Sequence, residues 1–197
     1  MYQIREQKNA LRKSFSERRS AIDPEYKNKL DSKIINRFMS LASYRYADTI
    51  LLYYPVKGEI DVRPIISASL ASGKRVALPR CEDKGSVMNF HYINTPEELE
   101  MGRFGLMEPS LQSEMFDPEN DVGQCVVVIP ALAYDKRGYR LGYGKGFYDR
   151  YFSTYGISRV GLIYSQFLVN ELPHGKYDIS VDILVSEKEV RVVDKEI

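Results

Sequence analysis

Apolar positions in the first forty residues recur with the period of a helix, and after residue 49 they close into short runs separated by turns. From Tyr2 to Ile22, the side chains of Ile4, Leu11, Phe15 and Ile22 fall within one narrow arc, which predicts an amphipathic helix. At about 100° per residue, Lys8 lies about 40° and Arg12 about 80° from Ile4, so both cations border the packed face. That position suits either a cleft or a solvated helix edge whose long stems cover apolar surface. Asp23 before Pro24 reads as a helix start, and Tyr26, Leu30, Ile34, Phe38 and Leu41 continue with helical spacing. Beyond it, Thr49–Tyr54, Arg75–Leu78, Met88–Tyr92, Cys125–Ile129, Arg159–Tyr164 and Asp182–Val185 are short, β-branched or apolar runs that predict strands. Val62–Ala71 is helical between the first two, with Gly73 as its stop, which makes a βαβ unit and an α/β fold. The acidic stretch from Thr95 to Asp121, relieved only by Arg103, reads as a solvated connection. Within it Gly102 and Gly105 frame Arg103 and Phe104, either as a plain surface turn or as one that carries an aromatic toward a ligand.

A chain of 197 residues, 44% apolar, is long enough for one good core and short for two, so residues 1–197 are read as a single domain. A net charge of +1 gives no general electrostatic reason to bind nucleic acid or membrane. Cys81 and Cys125 are far apart and have no nearby histidine partner, which argues against a disulfide framework or zinc site and favours the reducing cytoplasm. No secretory signal is evident, and the longest apolar run, Cys125–Tyr134, is too short for a membrane span of about 20 residues.

The strongest chemical signal is RLGYGKGFYDRY, from Arg140 to Tyr151, after an apolar strand and a turn. Alternating Gly142, Gly144 and Gly146 let backbone N–H groups approach a ligand, and Phe147–Tyr155 has the composition of a short helix starting there. Arg140 and Lys145 add positive charge, so phosphate is a natural guest. The spacing is neither a P-loop nor a dinucleotide fingerprint, and a tight structural turn is the plain alternative. Asp149, one helical turn in, stands where a carboxylate could hold magnesium beside a polyphosphate, or simply stabilise a helix N-terminus. Asp182, ahead of the last strand, is either a second metal-side acid or an ordinary strand-edge residue. His91 and His174 are isolated, so no covalent protein intermediate is suggested.

KNALR (8–12), YYPVKGEIDV (53–62), GRFGLMEP (102–109), VVIPALAYDKRGYRLGYGKGFYDRY (127–151) and VDILVSE (181–187) together resemble the 5-formyltetrahydrofolate cyclo-ligase family, in family order. The resemblance implies a three-layer α/β/α sandwich with a mostly parallel sheet, Rossmann-like, of the type shared with sugar-phosphate isomerases and CoA transferases. It implies ATP-dependent cyclisation of 5-formyltetrahydrofolate to 5,10-methenyltetrahydrofolate through a phosphorylated formyl group, with Mg2+, by a cytoplasmic monomer that needs neither nucleic acid nor membrane. By that resemblance, Lys8, Asn9, Ala10, Leu11 and Arg12, with Arg140, Leu141, Gly142, Tyr143, Gly144, Lys145, Gly146, Phe147 and Tyr148, take ATP. Lys8, Arg140 and Lys145 act in catalysis, and Asp149 and Asp182 hold the metal. Tyr54, Glu59 and Tyr143 to Phe147 contact folate, with Tyr54, Phe104, Tyr143 and Phe147 as candidates for ring stacking. Two rivals remain: a sugar-phosphate isomerase on a related fold, and an RNA-binding module using Lys8, Arg12, Arg18 and Arg19 as a phosphate-tracking patch.

Overall fold

The computed structural model describes residues 2–56, 58–82, 87–102, 105–121, 124–153 and 155–194. Helix α1 (Tyr2–Ser20) leads into α2 (Pro24–Ser40), whose start is fixed by the Asp23 carboxylate accepting from the Tyr26 N–H at 2.9 Å. A short α3 (Ala42–Arg45) then delivers the chain to β1 (Thr49–Leu51), α4 (Arg63–Ala71), β2 (Arg75–Cys81) and β3 (Met88–Ile93). A small hairpin follows, β4 (Glu100–Met101) and β5 (Met107–Glu108), then β6 (Cys125–Ile129), β7 (Ala133–Asp135), β8 (Arg140–Leu141) and α5 (Phe147–Phe152). The chain ends through β9 (Ser158–Leu162), β10 (Leu168–Val169), β11 (Ile183–Val185) and β12 (Val190–Val192).

Seven strands form the central sheet in the order β12-β11-β9-β6-β1-β2-β3. The pairings from β11 through β2 are parallel, while β12 and β3 close the two edges antiparallel. Strands buried on both faces need apolar residues at every position, and Ile50, Leu51, Val126, Val127, Val128 and Ile129 have no solvent exposure. Helix α2 packs its buried face, Leu30, Ile34, Ile35 and Phe38, into the same core.

The acidic connection differs from the solvated loop expected of it. Leu99, Glu108 and Phe116 are buried, and residues 114–116 run along the outer strand of the sheet, with the Tyr92 N–H donating to the Glu114 carbonyl and Phe116 N–H to that of Phe90. An unpaired sheet edge is thereby covered. Arg103 and Phe104 lie outside the described residues.

A second sheet, β10-β7-β8, sits where the chain leaves β6, and its turn is organised by one buried acid. Asp135, with no solvent exposure, accepts from the N–H groups of Arg137 and Tyr139 through Oδ1 and of Leu172 through Oδ2, each at 3.0 Å. Gly138 closes that turn at φ +81°, and a Cβ there would stand 2.7 Å from the Val181 carbonyl oxygen, so only glycine suits. The turn aims β8 into the glycine-rich loop. Asp135→Ala strands those amide donors and is expected to cost about 3 kcal/mol in urea unfolding; a loss under about 1 kcal/mol would show that the acid does not hold the turn.

Candidate active site

Strand order reverses between β1 and β6: the chain passes from β1 through α4 to β2 on one side, yet β6 pairs with β1 on the other. In parallel sheets such a reversal opens a crevice at the carboxyl ends of the strands. Tyr53, Tyr54 and Glu59 follow β1, Pro130 follows β6, and all of them line a cavity of about 490 Å³. A second cavity, about 960 Å³, is lined by Lys8, Asn9, Arg12, Arg150 and Lys176 among others.

The glycine-rich loop is the wall between the two. Tyr143, Gly144, Lys145, Gly146 and Asp149 line both cavities, as do Lys8, Arg12 and Asp178. Gly144 takes φ +95°, and a Cβ there would meet the Arg12 guanidinium carbon at 3.1 Å. Arg12 in turn donates through Nε to the Gly142 carbonyl at 2.8 Å, which ties α1 to the loop. Gly146 caps α5 in the left-handed region at φ +68°, and the helix runs only to Phe152, shorter than the expected Tyr155.

Both ends of the loop are fixed by one partly buried knot. Arg140 Nη2 reaches Asp149 Oδ1 at 2.9 Å, Arg140 Nη1 donates to the Ile179 carbonyl at 3.2 Å, and the Ile179 N–H donates to the same Oδ1 at 3.1 Å. Asp149 Oδ2 takes part in none of these bonds. The Arg140 guanidinium, expected as a phosphate contact, ties the two ends of the loop together in this structure. It lines only the smaller cavity.

Lys8 is paired with Asp178 at 2.7 Å. Burial would raise the Asp178 carboxyl, but the Lys8 ammonium and the Gly175 N–H together hold it below the usual carboxylate range. Burial likewise lowers the Arg12 guanidinium from its ordinary value, with Asp178 pulling the other way.

Glu59 is buried, receives the Tyr143 hydroxyl on Oε1 at 2.8 Å and the Val56 N–H on Oε2 at 3.0 Å. Burial pushes its carboxyl above the ordinary value against the pull of those two donors and of Arg19. Arg19 supports the same corner, donating to the carbonyls of Gly58 at 2.9 Å and Ala131 at 2.7 Å. Arg18 lies exposed over the Phe15 and Phe167 rings, whereas Arg19, of the same expected basic patch, is buried.

Of the residues singled out in the sequence, Lys8, Asn9, Arg12 and the loop from Tyr143 to Gly146 meet at the larger cavity, while Tyr54, Glu59, Phe147 and Tyr148 face the smaller. Ala10, Leu11 and Leu141 line neither; Leu11 and Leu141 pack in the core instead. Asp182 is the clearest departure. It is absent from both linings, and its carboxylate accepts from the Arg159 N–H at 2.7 Å and pairs with the Arg159 guanidinium at 3.3 Å. Asp178, Cys81, Met88 and Glu108 are on the linings and were not anticipated. The 175–179 turn carries no motif, and only long-range packing brings it to α1.

A family model for the 5-formyltetrahydrofolate cyclo-ligase family matches residues 4–187. The Escherichia coli K12 protein named 5-formyltetrahydrofolate cyclo-ligase is 31% identical over 179 residues, 88% of this chain and 97% of that protein. An Aquifex aeolicus 5,10-methenyltetrahydrofolate synthetase structure superposes with a TM-score of 0.83 at 34% identity, covering 96% of this chain and 94% of that one. A Mycoplasma pneumoniae 5,10-methenyltetrahydrofolate synthetase gives a TM-score of 0.72 at 27% identity, with 91% and 98% covered.

The raised Glu59 carboxyl generates a pH signature. The native state holds this proton more tightly than the unfolded chain, so stability from the site is full below the unfolded carboxyl's range and is lost as pH climbs through the folded value. Glu59→Gln lacks that titration. The melting temperature of the variant minus that of wild type is expected to grow with pH across this window; a flat or falling difference contradicts the burial argument.

Proposed function

Because the chain belongs to the 5-formyltetrahydrofolate cyclo-ligase family and is an enzyme, a carbon–nitrogen cyclo-ligase, we propose that it uses ATP to close 5-formyltetrahydrofolate into 5,10-methenyltetrahydrofolate, releasing ADP and phosphate. The observation that carries this reading is the shared wall: a large cavity bordered by cations and a smaller, more aromatic one meet at one glycine loop. A phosphoryl group held on one side of that loop is within reach of an acceptor on the other. The fold is read accordingly as a three-layer, Rossmann-like α/β/α sandwich, one domain over residues 1–197, of the kind shared with sugar-phosphate isomerases and CoA transferases. The chain is taken as a monomer working in the cytoplasm on small molecules.

An N-formyl carbonyl is resonance-stabilised as a peptide bond is, and its oxygen is a poor leaving group. In the proposed reaction that oxygen attacks the γ-phosphorus of ATP and ADP departs. N10 then adds to the activated formyl carbon, the C–O bond breaks with loss of phosphate, N10 gives up its proton and the five-membered ring is closed. The protein's part is placement and charge neutralisation. Lys8, Asn9, Arg12 and the amides from Gly142 to Tyr148 take the triphosphate, with Lys8 exchanging Asp178 for a phosphate oxygen and Lys145 adding charge. Arg140 positions the loop. Tyr54, Glu59 and the loop residues Tyr143 to Phe147 receive the folate, with Tyr54 and Phe147 as ring-stacking partners.

Magnesium suits the donor set at Asp149, a partly exposed carboxylate on both linings whose Oδ2 is not engaged by the knot. This ion commonly binds one or two carboxylates together with phosphates and water. When bound it would neutralise phosphate charge. Asp182 is on neither lining, although its partner Arg159 borders the larger cavity, and the proposed magnesium site is therefore built on Asp149.

The direct test supplies 5-formyltetrahydrofolate, ATP and magnesium and follows the ultraviolet absorbance of the methenyl product. Asp149→Asn keeps an oxygen for Arg140 and is expected to fold while losing about 10²-fold or more in kcat. Lys8→Ala is expected to raise the KM for ATP more than that for folate. Turnover of Asp149→Asn equal to wild type at several magnesium concentrations would remove Asp149 from the metal site, and wild-type protein consuming no ATP would favour the isomerase reading.

A further inference from the structure

Glu108 is a buried carboxylate to which the proposed chemistry gives no task. It ends the β4–β5 hairpin, is 2% exposed and lines the smaller cavity together with Tyr54 and Glu59. Oε1 accepts from the Cys81 N–H on β2 at 3.3 Å, whereas Oε2 is buried without a hydrogen-bond partner among the described residues. The Arg80 guanidinium does not pair with it: Nη1 goes to Glu100 at 2.6 Å and to the Pro109 carbonyl. Across the hairpin, a Cβ at Gly102 would fall 2.1 Å from Oε2, so the absence of a side chain at 102 makes the space this oxygen fills.

A buried acceptor without a partner is costly, and native structures seldom keep one without a use. Glu59 offers a contrast, since both its oxygens are already engaged by Tyr143 and Val56. If the formyl group faces the glycine loop, the opposite, pyrimidine edge of the pterin must face walls that the loop does not make, and the β4–β5 hairpin is one of them. That edge carries an exocyclic amino group beside a ring N–H, a donor pair suited to a carboxylate. We infer that the Glu108 carboxylate, on turning its unpartnered oxygen from Gly102 toward the cavity the residue lines, accepts from this edge, which makes Glu108 a specificity-determining residue for the pterin ring; the inference rests on the folate reading of the cavity.

The test compares wild type with Glu108→Gln for binding of 5-formyltetrahydrofolate, of its 2-desamino analogue and of ATP. Wild type is expected to bind the analogue about tenfold or more weakly than 5-formyltetrahydrofolate. Glu108→Gln should lose about tenfold or more for 5-formyltetrahydrofolate, discriminate little between the two ligands, and keep its ATP affinity. Should Glu108→Gln fail to fold, Gly102→Ala carries the same comparison, because its methyl group would overlap the Glu108 carboxylate and so displaces the acid without removing it. If wild type and variant bind and discriminate alike, Oε2 is served by water and the inference is overturned, while folate binding by wild type leaves the proposed function standing. Absence of any folate binding by wild type would overturn both.

Discussion

The buried Arg140 guanidinium is the constraint on which this site depends. It enters from β8, grips Asp149 one turn into α5 and the carbonyl of Ile179, and so pins both ends of a segment whose glycines have little stiffness of their own. Without that closure, Gly142 to Gly146 would be an entropic loop. With it, their amides are held in one arrangement before any ligand arrives, which is the condition for electrostatic stabilisation without reorganisation. Arg140 is the buried partner and Asp149 the partly exposed one, so removing the acid leaves a poorly solvated cation.

Around that knot the charges are arranged in mutual neutralisation. Lys8 holds Asp178, Arg159 holds Asp182, Arg12 holds the Gly142 carbonyl and Arg150 that of Lys145. The pairs keep long cationic side chains ordered at the rim of a cavity in which they would otherwise repel one another. Under the proposed function a triphosphate entering here would exchange one anionic partner for another, so its binding energy would come from the difference between phosphate and carboxylate contacts. The loop amides, which have no acid partner among the described residues, would then be the part of the site that adds outright.

Much of this was legible in the sequence, for identifiable reasons. The two N-terminal helices and the six apolar strands announced themselves by period, and the glycine loop by its spacing beside Arg140, Lys145 and Asp149. Strands of two or three residues, such as β8 and β10, have no period to read. The Lys8–Asp178 pair spans 170 residues and follows from packing alone. Asp182 reads as either a metal-side acid or a strand-edge residue, and the parallel register of Ile183 with Val160 sets it beside the Arg159 N–H, a contact its own sequence context does not reveal. Glu108 was hidden in an acidic run that reads as solvated; its burial depends on the space at Gly102 and on the hairpin folding onto β2, neither of which composition reveals.

The central claim, that the pinned loop grips the terminal phosphates of a nucleotide, is tested most directly by backbone amide NMR of the protein titrated with a non-hydrolysable ATP analogue and magnesium. The account predicts saturable shifts concentrated on the amides of residues 142–148 and of Lys8 and Arg12. Saturation of the nucleotide elsewhere, with the loop amides unmoved, would contradict it.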